Sequence, residues 1–165
     1  GFALFALPGA QSRSFWMDFF PAIMLMSIGM SIAVAPLTTT VMGAVKESHA
    51  GVASGINNAV SRAASLIAVA AFGAIMFAAF SATLSNSLSN ESLPESSRAS
   101  ILAQRGDLIN IRIPSDLTSE QMTAVSGAIR MSFVTGFRYL AFTAAGLAVL
   151  SAIASGLLIE GKHES

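Results

Sequence analysis

Long apolar runs alternate with short polar breaks along this chain, and three of the runs are long enough to cross a bilayer. They cover residues 19–45, 53–80 and 133–159. A helix needs about 20 apolar residues to span the hydrocarbon core. Residues 1–7, G-F-A-L-F-A-L, are apolar but too short to span, and read as the end of a truncated transmembrane helix. The breaks are a short polar connection over residues 8–18, a tight loop K-E-S-H-A-G-V at 46–52, a long segment at 81–132 and a tail at 160–165. The pattern predicts an all-α integral membrane fold with three complete transmembrane helices plus the end of a fourth.

The run 53–80 has one charge, Arg62, with Asn57 and Asn58 a turn before it. A cation inside an apolar span is expensive and is expected to face protein or water rather than lipid. Gly55, Asn58 and Arg62 follow i, i+3, i+7 spacing and share one helix face. Gly51, Gly55, Ala59 and Ala63 form a small-residue ridge that lets a neighbouring helix approach closely. The face reads in two ways. It is polar glue between helices with a snorkelling arginine, or it is a latch in which the Arg62 fork binds carbonyls at a helix end in one conformation.

The run 19–45 has no ionisable residue beyond its ends, and Pro36 inside it predicts a helix kink. Thr38, Thr39 and Thr40 follow, placed to satisfy freed carbonyls. Met24, Ser27 and Ser31 fall on one face at i, i+3, i+7, with Met26 and Met30 nearby. Methionine offers an adaptable surface of the kind binding sites use, and ordinary packing uses it equally well. Phe15 and Trp16 beside Asp18 read as an interfacial anchor, and Arg138 and Tyr139 lie near the first interface of the last run.

Segment 81–132 exceeds an ordinary helix connection and is expected to hold short helices. Pro94 predicts a helix start, ending at Gly106. Ile109, Ile111 and Ile113 alternate with polar residues, which predicts a brief extended stretch. Thr118 with Gln121 three residues on has capping-box spacing.

Composition agrees with a membrane environment. The 165 residues are 53% hydrophobic and 11% charged, where a soluble domain carries about a quarter charged residues. Zero formal net charge implies no nucleic-acid partner. With no cysteine, there is no disulfide or thiolate metal site. His49 and His163 lie far apart in polar segments and read as solvated. No carboxylate lies inside a complete span and no catalytic cluster forms there, so no proton carrier can be named and no enzyme activity, cofactor or metal is expected.

The segment A-P-L-T-T-T-V-M at 35–42, the tight loop, and A-G-V-A-S-G-I-N-N-A-V-S-R at 50–62 together resemble the major facilitator superfamily, and within it the fourteen-helix drug:proton antiporter branch. The likeness is specific over about residues 21–73 and looser over the last run. It implies the C-terminal part of a major-facilitator-type helix bundle, completed by missing N-terminal helices of the same protein. It implies a multi-pass protein of a cell membrane, the inner membrane in a bacterium. The implied activity is export of drugs or other amphipathic small molecules, with the proton as coupling ion and membrane lipid as surroundings. The run 19–45 would line the substrate cavity, through Met24, Ser27 and Ser31. The loop 46–52 and tail 160–165 would be cytoplasmic, and 81–132 external. The basic residues run the other way, because Arg98, Arg105, Arg112 and Arg130 fall on the presumed outer side, although the positive-inside rule loosens for long loops. The alternative is a small membrane-embedded interaction or regulatory protein with no transport activity.

Overall fold

The structure is a computed structural model and describes residues 1–9, 14–43 and 46–158. Among these the regular elements are all helical: α1 (Phe2–Phe5), α2 (Phe15–Asp18), α3 (Phe20–Gly43), a 3-10 turn (Glu47–His49), α4 (Ala50–Ser89), α5 (Glu95–Ala103), a second 3-10 stretch (Arg105–Asn110) and α6 (Ser119–Leu158). The tail 160–165, with Lys162 and His163, lies outside the described residues, as does Arg13.

Helices α4 and α6 dominate. Each has 40 residues, about 60 Å of helix and twice the thickness of a hydrocarbon core. They pair antiparallel: Phe80, Leu84 and Leu88 of α4 share a buried cluster with Val125 and Ile129 of α6, and lower on the pair Met76 meets Gly136. A Cβ built on Gly136 would lie 2.7 Å from Met76 Sδ and 3.2 Å from its carbonyl oxygen, so glycine is what allows this approach.

The buried cluster of large side chains sits at one end of the hairpin, and elsewhere apolar burial falls on Ala6, Ala22, Met76, Ala141 and Ala144. Leu93, Ile101, Ile111 and Leu117 from the connection complete the cluster, and Leu102, Leu108 and Phe133 pack against it. Residues 81–132 thus form a folded cap. The Ser/Asn-rich start of that segment is helical, because Leu84 and Leu88 continue the stripe begun by Phe80 at i+4 spacing and find partners to bury them.

Polar groups fasten the cap. Ser97, 3% exposed, donates to Asp116 Oδ2 at 2.9 Å. The Gln104 side chain accepts from the Arg112 amide at 2.9 Å and donates to the Arg112 carbonyl at 3.2 Å. Thr118 and Gln121 make the reciprocal bonds of a capping box, at 3.0 and 3.3 Å, and Gln121 Nε2 reaches the Ser92 carbonyl at 2.7 Å.

One boundary expected in this segment is corrected. The helix after Pro94 ends at Ala103 rather than Gly106. Of the alternating isoleucines, Ile109 lies in the second 3-10 stretch, whereas Ile111, just past it, has extended backbone at φ −63° and ψ 124°. Ile111 belongs to the cap core and Ile113 packs against it. Leu108 turns the chain at φ 51°, a conformation leucine rarely adopts.

The other ends of α4 and α6 contrast sharply with the cap. Both helices are long and apolar enough to cross a membrane, with 18-residue windows of mean hydropathy 2.2 and 1.9, yet only 11% of each window is buried. Exposed residues include Ile56, Leu66, Ile67 and Val69 on α4, and Leu147, Leu150 and Ile153 on α6. Of the three expected spans, these two meet the length and apolarity test within the described residues. In α3 the described apolar stretch, Phe20–Val34, is shorter. The helix runs continuously through Pro36 to Gly43.

Candidate functional site

Two polar faces interrupt the apolar helices. On α4, Asn58, Ser61, Arg62 and Ser65 lie with Leu66 around an open concavity of about 410 Å³. The four polar positions are separated by three and four residues, which stacks them along one side of a helix. Asn58 and Arg62 are brought together as their spacing predicts. Ser65 donates its hydroxyl to the Ser61 carbonyl at 2.8 Å. Sequence reasoning missed Ser61 and Ser65, although their spacing from Asn58 and Arg62 carried the signal.

Arg62 is exposed and makes no hydrogen bond or ion pair among the described residues. The small-residue ridge beside it is equally open, since a Cβ built on Gly51 or Gly55 would meet nothing within 4 Å. A guanidinium in this position has five unused donors, so whatever satisfies it lies outside the described residues.

On α3, Ser31 donates to the Ser27 carbonyl at 2.9 Å. Met24 is 46% and Met30 65% exposed, and Ser27 and Ser31 are exposed as well. The face is therefore a run of flexible thioethers with a short hydroxyl stripe, of which the Ser31 hydroxyl is bonded to backbone.

The arginine that does bind helix-end carbonyls is another one. Arg138 of α6 donates through Nε to the Ala6 carbonyl at 2.9 Å and through a terminal nitrogen to that of Leu7 at 3.4 Å. These carbonyls end α1, and Ala6 is 3% exposed. Sequence reasoning put Arg138 near an interface and gave it no partner. Nothing local signals this contact, because its acceptors are 132 and 131 residues away.

The chain matches no protein-family profile, no curated protein and no solved structure.

Proposed function

We propose that the chain is the membrane-embedded C-terminal part of a secondary transporter of the major facilitator type, exporting drugs or other amphipathic small molecules in exchange for protons. The observation that carries the membrane part of this reading is the mismatch between apolarity and burial on α4 and α6, whose most apolar windows are 11% buried. In water, that surface would drive association or aggregation. In a bilayer it is matched by lipid and by further helices.

Aromatic placement supports the same reading. Trp16 and Phe20 lie 5.0 Å apart and Phe15 stacks on Phe19 at 6.3 Å, forming a cluster at the start of α3. Tyr139 is 60% exposed on α6 below the cap. Trp16 and Tyr139 are the ring types that favour the headgroup level.

Transport is supported by the polar faces. A span that only anchors a protein has no need of Arg62, and lipid gives nothing back for Asn58. In this reading the Met24, Ser27 and Ser31 face of α3 lines the route of an amphipathic solute, and the Gly55, Asn58 and Arg62 face of α4 holds one conformation closed. The uncovered Gly51 and Gly55 ridge favours the second reading, a small membrane protein that binds a partner helix there.

The test is substitution of phenylalanine for Ser27 and for Ser31 in the complete transporter, with efflux and membrane abundance measured together. A shift in the range of exported compounds at unchanged abundance is expected. Equal loss of both would return these serines to packing.

A further inference from the structure

We infer that the Asn58, Ser61, Arg62 and Ser65 face of α4 binds the phosphate of an anionic lipid at the membrane surface opposite the cap. The inference rests on the membrane reading above and gives Arg62 a lipid phosphate as its acceptor in place of helix-end carbonyls.

Depth is the first argument. The cap ends the membrane-facing part of α4: Phe80 is fully buried in it, and the polar sequence begins at Ser81. From Ser81 to Arg62 the helix rises roughly 28 Å at 1.5 Å per residue. A hydrocarbon core is about 30 Å thick. The Arg62 backbone therefore lies close to the far boundary of the core, not at its centre.

Direction is the second. Side chains on an α-helix lean toward its N-terminus, and the N-terminus of α4 is the end away from the cap. Arg62 thus leans outward, toward Asn58 and the far headgroups. On α6, which runs the other way, the same lean carries Arg138 and Tyr139 toward the near headgroups beneath the cap.

Chemistry is the third. Arg62 has no acceptor among the described residues, and its planar fork matches a phosphate in two parallel bonds. Asn58 adds an amide donor one turn further out. The concavity leaves room for an oxyanion at the polar end, while Leu66, 74% exposed, offers apolar contact to the acyl chain below.

The test uses the 165-residue chain in vesicles, with Leu66→Trp in a Trp16→Phe background as reporter. Acyl-brominated phosphatidylglycerol is compared with acyl-brominated phosphatidylcholine as quencher. A preference of about fivefold for the anionic lipid is expected, the scale of one basic residue at an anionic surface. Arg62→Gln should abolish the preference and Arg62→Lys, which keeps the charge but loses the fork, should weaken it, with helix content by circular dichroism unchanged in both. Equal quenching by the two lipids, or a preference that survives Arg62→Gln, would overturn the lipid site, and helix carbonyls would then be the acceptor. Loss of the preference to millimolar inorganic phosphate would also overturn it, in favour of a free-anion site. Quenching by neither lipid would instead sink the membrane reading itself.

Discussion

The Nε of Arg138 donates to the Ala6 carbonyl at 2.9 Å, which ties the interior of α6 to the end of the single helical turn at the start of the chain. A second nitrogen of the same side chain reaches the next carbonyl, Leu7, at 3.4 Å. One guanidinium therefore holds two carbonyls that α1 is too short to satisfy. Hydrogen bonds to a charged group contribute about 1.5–3 kcal/mol, toward the lower end here because the Leu7 contact is exposed.

Arg138→Met keeps the apolar stem and removes the donors. Amide exchange at Ala6 and Leu7, which bond to Ala3 and Leu4, should then speed up about tenfold, the equivalent of 1.4 kcal/mol. Unchanged exchange would mean that α1 is held by packing alone.

Gly136 and Gly146 separate a required glycine from a permitted one. Nothing lies within 4 Å of a Cβ built on Gly146, whereas on Gly136 it meets Met76. Gly146→Ala should leave the melting temperature in detergent unchanged or raise it, through helix propensity of up to about 1 kcal/mol. Gly136→Leu should lower stability by about 1–3 kcal/mol through overpacking. Equal effects at the two positions would contradict the close approach of α4 and α6.

The cap should melt separately from the rest of the hairpin. Leu88 is fully buried there, and Leu88→Ala should cost about 2–5 kcal/mol. That cost falls on the connection rather than on the apolar ends. Limited proteolysis should therefore cut within residues 90–118 of the variant while the two long helices keep their helical signal. Loss of the whole helical signal would show the cap and the hairpin to be one cooperative unit.

How much of this was readable in the chain depends on whether the signal was local. The apolar run 53–80 announces a helix, and Thr118 with Gln121 marks the start of α6, because both patterns act over one or two turns. The extension of α4 to Ser89 was hidden. Its serines and asparagines have weak helix preference, and what keeps them helical is burial of Leu84 and Leu88 against Val125 and Ile129, some 40 residues on. The isoleucine alternation marked the extended backbone at Ile111 and missed only Ile109, which the 3-10 stretch takes up. At the candidate site, the shared face of Asn58 and Arg62 was legible from spacing. The role of Arg138 was not, because its acceptors are backbone carbonyls at the opposite end of the chain.

The central claim is that α4 crosses a membrane, with the tight loop before it and the cap after it on opposite sides. Ser48 lies in that loop and Ser89 at the cap end of α4, and both are exposed. The chain has no cysteine of its own, so Ser48→Cys and Ser89→Cys each introduce a single thiol. Intact cells expressing either variant are treated with a membrane-impermeant maleimide, before and after permeabilisation. The account predicts labelling of Ser89→Cys alone in intact cells, and of both once the membrane is opened. Labelling of Ser48→Cys alone would keep the crossing and reverse its direction. Labelling of both variants, or of neither, in intact cells would put both ends of α4 on one side and contradict the account.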